Sequence, residues 1–98
     1  MRNMNVRAYI LVNGRVQGVF FRVETRNVAL KRNVAGWIRN THEGRVEAIF
    51  EGEKEDVEQL IYFCKRGPPA AQVTKIDVQW DKYTGEFKDF KIRKTVII

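Results

Sequence analysis

Two residue types that build covalent links and metal sites are almost missing from this sequence. Its 98 residues include one cysteine, Cys64, and one histidine, His42. A single cysteine permits no internal disulfide, which suits a reducing compartment, and the two residues together exclude the common structural zinc sets. A chain of this size buries roughly 60–70% of its unfolded surface, so one compact core is feasible without such links.

Long apolar runs are also missing, as is a charged and then apolar leader at Met1. We therefore expect no membrane span, no secretory signal and a cytoplasmic location. No repeat, linker or low-complexity segment divides the chain, so residues 1–98 are interpreted as a single domain. The formal net charge is +6, which suits nucleic acid, an anionic small substrate or simple solubility. The basic residues are spread along the chain, which weakens the nucleic-acid interpretation.

The familiar catalytic signatures are missing too. The sequence contains neither Gly-x-x-x-x-Gly-Lys-Ser/Thr nor Gly-x-Gly-x-x-Gly, so a nucleotide loop of those types is not expected. No Ser, His and Asp set occurs at a recognisable spacing. His42 is interpreted as a solvated turn residue, and the carboxylates that crowd residues 53–56 are explained by the start of a helix.

Hydrophobic periodicity predicts two helices and five strands. Alternating apolar residues predict strands over residues 6–13, 34–40, 45–52, 75–81 and 87–93. Apolar residues at helical spacing predict helices over 21–32 and 53–66, and the second helix ends at Gly67 before two prolines. Gly44 predicts a hairpin turn over 41–44. Residues 1–5 are interpreted as a loose end, and the tail 95–98 as a segment that packs back.

This order of elements, β-α-β-β-α-β with a short final strand, predicts an α+β fold. Short connections and right-handed crossovers make the order typical of a ferredoxin-like sandwich, in which two helices cover one face of an antiparallel sheet. On the first strand, Val6, Ala8, Ile10 and Val12 share the predicted core face. Cys64 lies on the apolar stripe of the second helix and is predicted to be a buried small hydrophobe.

The most informative stretch joins the first strand to the first helix. Two glycines four residues apart, Gly14 and Gly18, allow a tight turn because glycine tolerates positive φ. Successive amides in such a turn, and the free amides at a helix start, can bind an anion. Arg22 lies in the first helical turn, where the dipole disfavours a cation by roughly 0.3–1 kcal/mol. From the residues alone, two interpretations remain open: an anion site, or a tight connection beside a solvated arginine.

The same stretch, Gly14-Arg15-Val16-Gln17-Gly18-Val19-Phe20-Phe21-Arg22, resembles the first signature of the acylphosphatase family. The resemblance extends from about residue 6 to the last strand and includes Thr25, Gly36-Trp37-Ile38-Arg39-Asn40, Gly44-Arg45-Val46-Glu47 and Gly67-Pro68-Pro69-Ala70-Ala71-Gln72-Val73. It implies a ferredoxin-like fold and hydrolysis of the carboxyl–phosphate bond of acyl phosphates. It also implies that no metal or organic cofactor is needed and that no covalent intermediate forms.

Carried onto this sequence, the resemblance implies two catalytic residues. Arg22 binds the phosphate, and Asn40 orients the attacking water, although spacing alone would make Asn40 a turn residue. The phosphate itself takes the proton of the water. The resemblance assigns the backbone amides of the phosphate-binding loop to Gly14, Arg15, Val16, Gln17, Gly18, Val19 and Phe20. Such a set stabilises charge on a phosphoryl group but supplies no acid, which suits the carboxylate leaving group of an acyl phosphate.

The sequence departs from the family pattern in two places. Lys31-Arg32-Asn33 stand where the family commonly has Leu-Gly, before the Gly-Trp strand. Glu43-Gly44 stand where it commonly has Asp-Gly in the hairpin turn. The second change bears on the position of Asn40 and hence on the rate, because glutamate stabilises a turn less well than aspartate.

Two other functions are kept as alternatives. One is a non-catalytic phosphate-binding or accessory module, since acylphosphatase-like domains also begin larger carbamoyl-transfer enzymes. The other is a nucleic-acid-binding domain, which would need paired aromatic residues on the central strands; the outer-face residues Tyr9, Leu11, Arg45, Glu47 and Ile49 do not provide them. A chain that stops after one domain favours a free enzyme. We expect a monomer that binds a small acyl phosphate, is inhibited by its product phosphate, and binds neither membrane nor nucleic acid.

Overall fold

The computed structural model describes residues 4–95, which form five strands and two helices. The strands are β1 (Asn5–Arg15), β2 (Ala35–Asn40), β3 (Val46–Glu53), β4 (Gln72–Asp81) and β5 (Phe90–Ile92). The helices are α1 (Phe21–Lys31), between β1 and β2, and α2 (Lys54–Arg66), between β3 and β4. The strands form one sheet in the order β4-β1-β3-β2-β5. This architecture confirms the predicted ferredoxin-like α+β fold.

The core lies between the helices and one face of the sheet. Ala8, Ile10 and Val12 alternate along β1 and are fully buried, as the strand period of two requires. The apolar stripe of α2 packs onto that face through Val57, Leu60, Ile61 and Cys64. Each fully buried aliphatic side chain contributes about 1.5–3 kcal/mol. Cys64 is fully buried, which confirms the prediction of a buried small hydrophobe, and burial raises the pKa of its thiol to about 12.

The sheet is mixed because its last strand, β5, runs parallel to its neighbour. The first four strands pair antiparallel, whereas β5 pairs parallel with β2. The predicted antiparallel sheet is therefore confirmed for β1 to β4, and the short final strand, for which the sequence predicted no direction, adds a parallel edge. The chain leaves β4 at one edge and reaches β5 at the opposite edge, so the connecting residues 82–89 pass across the end of the sheet.

Three strands, β1, β4 and β5, have a boundary that differs from the prediction by two or more residues. β1 continues to Arg15 and β4 begins at Gln72, because the two strands resume pairing after a register shift between Asn13 and Gly14. β5 is shorter than predicted, since residues 87–89 belong to the crossing segment. Asn5 lies in β1, and Met4 lies before it outside any strand. Residues 1–3 of the predicted loose end and residues 96–98 of the predicted tail lie outside the described residues. Within residues 4–95, neither helix has the length and apolar character needed to cross a membrane.

Candidate active site

The segment between β1 and α1 is a short irregular loop of five residues, 16–20. The side chains of Val16 and Val19 are 1% and 4% exposed, so they anchor the loop in the core. Gly18, between the two valines, has a φ of 73°, and Phe20, directly after Val19, has a φ of 64°. Left-handed residues set among ordinary ones turn successive amides into one concavity, which is a known anion-binding arrangement. The loop therefore has the backbone of an anion site.

Helix α1 extends this amide-rich surface. Phe20 is its N-cap residue, and no side chain caps the helix. The first intrahelical bond at this end runs from the Glu24 N–H to the Phe20 carbonyl, so the three preceding amides have no partner within the helix. Arg22 lies in this first turn, as predicted, and is partly exposed. A helix start with free amides and an arginine in its first turn offers two kinds of donor to a phosphoryl group.

The register of the sheet places Asn40 beside this loop. Asn40 lies opposite Val46, and Val46 lies opposite Val12 near the end of β1. Directly opposed residues project to the same face of a sheet, and Val12 and Val46 are fully buried beneath the helices. Asn40 therefore lies on the helix-covered face, at the end of the sheet where β1 enters the loop.

The side chain of Asn40 has one unusual feature. Its Oδ1 atom is buried and accepts no hydrogen bond from any group within residues 4–95. A buried polar atom without a partner costs about 1–3 kcal/mol, so such atoms mark positions that need a separate explanation. An unpaired buried amide oxygen at the end of the sheet marks Asn40 as the candidate group to accept a hydrogen bond from a substrate or from water at this site.

Gln17 joins the two parts of the site. Its Nε2 atom donates to the Thr41 carbonyl at 2.8 Å and to the Arg45 carbonyl at 2.9 Å. Both acceptors belong to the turn between β2 and β3, which begins directly after Asn40. The structure thus brings the predicted loop and the predicted catalytic hairpin into direct contact. The contacts from the loop to Thr41 and Arg45 were missed, because no local pattern signals them.

The structure places the predicted loop residues in two groups. Gly14 and Arg15 form the end of β1 and pair with Val73 and Gln72 of β4, so they lie directly before the irregular loop, and their part in phosphate binding stays a prediction. A Cβ atom on Gly14 would lie 2.1 Å from the Gln72 carbonyl oxygen, so this glycine is needed where the two strands approach. The other five, Val16 to Phe20, form the loop itself.

The site has few other groups that could do chemistry. Among residues 4–95, no cluster of three or more His, Cys, Asp or Glu side chains could hold a metal ion. His42 and Glu43 are exposed in the turn, and Gly44 has the positive φ of 89° that the predicted hairpin needs. The groups at this end to which the sequence assigned chemistry are therefore backbone amides, the Arg22 guanidinium and the Asn40 side-chain amide.

The face of the sheet opposite the helices carries charged side chains that already engage one another. The guanidinium groups of Arg39 and Arg93 lie over the ring of Trp37, 4.7 and 4.9 Å from its centroid. Tyr9 donates its hydroxyl to Glu47 at 2.6 Å. Because Trp37 is only 9% exposed, it offers no free platform on which a base could stack.

Comparisons with known proteins agree with this geometry. Residues 8–92 match the family model described as Acylphosphatase. An acylphosphatase of Pelotomaculum thermopropionicum is 56% identical over 86 residues, which are 88% of this chain and 94% of the relative. An acylphosphatase of Aeropyrum pernix is 50% identical over 95% of this chain and 93% of its own length.

Solved structures give the same result. The crystal structure of acylphosphatase from Bacillus subtilis superposes with a TM-score of 0.86 at 36% identity and covers 90% of this chain and 98% of that one. Full-length HypF in its phosphate- and nucleotide-bound form matches with a TM-score of 0.84 at 34% identity, over 97% of this chain but 13% of that protein. The family match over most of the chain, with relatives of similar length, shows that this chain belongs to the acylphosphatase family.

Proposed function

We propose that this protein hydrolyses small acyl phosphates to a carboxylate and inorganic phosphate at the loop end of the sheet. Membership of the acylphosphatase family supports the reaction. The observation that carries the proposal for the site is the buried, unpartnered Oδ1 atom of Asn40, held beside a left-handed loop and a helix start. These features are what a phosphoryl group and an attacking water both require.

The phosphoryl group is bound by the loop and by Arg22. Amides of residues 16–20 and of the first turn of α1 donate to its oxygens, and the guanidinium adds charge-assisted bonds. Negative charge on the equatorial oxygens is stabilised by donors that are already in place, so little reorganisation accompanies the transition state. Arg22 thereby acts on both substrate binding and turnover.

Asn40 orients the water. Its Oδ1 atom accepts a hydrogen bond from the water and directs the lone pair of the water oxygen at phosphorus, in line with the bond that breaks. The new phosphorus–oxygen bond forms as the bond to the carboxylate breaks, and the carboxylate leaves with the bonding electrons. A phosphate oxygen takes the proton of the water. The carboxylate needs no proton at neutral pH, so no acid is required.

The proposed reaction needs neither metal nor organic cofactor. Arg22 and the backbone amides supply the positive charge that a metal ion supplies in other phosphoryl-transfer sites. Activity that persists in EDTA is therefore expected.

The test is hydrolysis of benzoyl phosphate in the presence of EDTA, comparing the wild type with Arg22→Ala. We expect turnover in the wild type and a loss of at least about 10³-fold in the variant, the scale on which arginine contributes to phosphoryl transfer. Arg26→Ala, one turn further along α1, is the matched control and retains activity. Inorganic phosphate should inhibit the wild type competitively and protect it, but not Arg22→Ala, against thermal unfolding.

The possible failures of this experiment separate the candidate functions. A folded wild type that binds phosphate without hydrolysing benzoyl phosphate would identify a phosphate-binding or accessory module. Activity that EDTA removes would contradict the metal-free mechanism alone. Equal losses in Arg22→Ala and Arg26→Ala would show that net charge, rather than Arg22 itself, supports catalysis.

We further propose a cytoplasmic monomer whose partner is the small substrate rather than nucleic acid. The buried free thiol of Cys64 and the engaged outer face of the sheet support this assignment. Light scattering on the purified protein tests the monomer, and cell fractionation tests the location. A gel shift with RNA that weakens as salt is added would contradict the absence of nucleic-acid binding.

A further inference from the structure

The side chain of Gln17 is fully used as a donor. A primary amide nitrogen carries two N–H groups, and Nε2 of Gln17 donates to two carbonyl groups, those of Thr41 and Arg45. It therefore has no N–H left for a phosphate oxygen. Its side-chain oxygen is an acceptor and does not bind an anion. Although Gln17 lies in the loop assigned to phosphate, only its backbone amide is available to the substrate.

The two carbonyls that Gln17 contacts also close the β2–β3 turn. The Thr41 N–H donates to the Arg45 carbonyl at 2.9 Å, and the Gly44 N–H donates to the Thr41 carbonyl at 3.2 Å. The Arg45 N–H donates to the Thr41 hydroxyl at 3.1 Å. Because the turn is closed by its own bonds, Gln17 is not needed to form it. Its two bonds instead fix where the turn lies relative to the loop.

We propose that Gln17 is a positioning residue that sets the distance between the phosphate-binding loop and Asn40. Thr41 follows Asn40 directly, so a bond from the loop to the Thr41 carbonyl also locates the Asn40 side chain. This inference rests on the proposed function, in which the loop holds phosphorus and Asn40 holds the water. In-line attack needs both at a defined separation, and a displacement of about 1 Å can cost about 10²-fold in rate.

The first test compares Gln17→Met with Gln59→Met. Methionine keeps the length of the side chain but lacks the amide, and Gln59 is exposed on α2, away from the loop. With benzoyl phosphate, Gln17→Met should lower kcat about 10- to 100-fold, while the inhibition constant of inorganic phosphate changes by less than about threefold. Gln59→Met should match the wild type. A Gln17→Met kcat equal to that of the wild type, or phosphate binding lost in step with kcat, would overturn the proposal.

The second test uses Gln17→Glu to separate positioning from packing. The carboxylate has the shape of the amide but presents two acceptors to two carbonyl oxygens, which repels the turn. Protonation restores one donor, and this neutral form is favoured beside carbonyl groups. The kcat of Gln17→Glu relative to the wild type should therefore rise as the pH falls from about 8 to about 5. A ratio that stays flat over this range would contradict the role of the donated bonds.

The third test asks whether Gln17 acts through Asn40. In an Asn40→Ala background, adding Gln17→Met should lower the residual rate by less than about twofold, because the group that it positions is gone. If the loss of rate in the double variant equalled the product of the losses in the two single variants, the two residues would act independently and the proposal would be overturned. A wild type without hydrolytic activity would contradict the proposed function and this inference together. An active wild type with an unaffected Gln17→Met would contradict only the inference.

Discussion

Each end of the sheet holds a side chain with a buried oxygen, and the hydrogen bonding of the two oxygens is opposite. At the loop end, Asn40 Oδ1 has no hydrogen-bond partner within residues 4–95. At the other end, Glu51 is 2% exposed. Its carboxylate accepts hydrogen bonds from the N–H and the hydroxyl of Thr84, both at 2.8 Å. It also accepts hydrogen bonds from the Gly85 N–H and from the Arg7 guanidinium, both at 3.1 Å. A saturated buried group stabilises structure, whereas an unsaturated one needs another explanation, of which a role in catalysis is one.

Glu51 explains how the crossing segment 82–89 is held. Burial alone would raise the pKa of this carboxyl, but the bonds from Thr84, Arg7 and Gly85 outweigh burial and hold the pKa below its usual range. The carboxylate therefore fixes the segment on its path from β4 to β5. These bonds stabilise this end of the sheet.

The backbone shows the same contrast. Two residues other than glycine have positive φ within residues 4–95: Phe20 at 64° in the loop and Asn33 at 57° after α1. Asparagine tolerates this conformation, whereas a bulky residue there is strained. Phe20 is also 75% exposed, so burial of its ring does not offset the strain. Strain kept at the loop end, in a residue that gains little from packing, is typical of a functional segment.

The largest effect that separates the two ends is expected from Asn40→Ala. Loss of the water-orienting group should lower kcat for benzoyl phosphate by about 10²–10³-fold, the scale of one preorganised hydrogen-bonding group. The inhibition constant of phosphate should stay within a few-fold of the wild type, because Arg22 and the loop remain. Urea unfolding should show no loss of stability, since the substitution removes an unpaired buried acceptor. Full activity in Asn40→Ala would make its assigned role wrong.

Glu51→Gln is expected to have the reverse profile. The neutral amide keeps the size of the side chain but loses charge-assisted bonds, each worth about 1.5–3 kcal/mol, and we expect a loss of stability of that order. Glu86→Gln is the matched control, because Glu86 also contacts Arg7 but its side chain is 55% exposed, and its loss should stay below about 1 kcal/mol. The kcat of both variants should match the wild type. A fall in kcat without a fall in stability would contradict the contrast between the two ends.

Acid should weaken the Glu51 end before it affects the loop. Because the pKa of Glu51 is lower in the folded protein than in the unfolded chain, its stabilisation is complete above the unfolded value of about 4.3 and is lost as the pH falls through the lower folded value. The pKa of Glu47 is also lowered: the Tyr9 and Arg39 bonds outweigh burial. Unfolding free energies measured from pH 7 to pH 2 should therefore fall below about pH 4.3. The fall should be smaller in Glu51→Gln, and an equal fall would assign the acid sensitivity to other carboxylates.

The features that the sequence could predict are those that local periodicity controls. The helices and the core positions of β1 follow from spacing alone. The end of β1 does not, because Gly14 and Arg15 pair with β4 residues about 57 to 59 positions away, and only the folded chain brings those partners together. The position of Arg22 in the first turn of α1 could be predicted from the sequence, because Arg22 ends the motif that joins β1 to this helix. The bond from Gln17 to Thr41 spans 24 residues, so no local pattern reveals it.

The smallest expected effect comes from replacing each of the two non-glycine residues that have positive φ with the residue type of the other. Phe20→Asn should raise the free energy of unfolding by roughly 1 kcal/mol or less, because asparagine visits this conformation more easily than phenylalanine. Asn33→Phe should lower it by a similar amount. If the backbone of Phe20 is strained in order to shape the loop, Phe20→Asn gains stability and does not bind phosphate more tightly. Urea unfolding and phosphate inhibition measure the two quantities, and a Phe20→Asn variant that loses stability would show that its exposed ring, rather than its backbone, decides the balance.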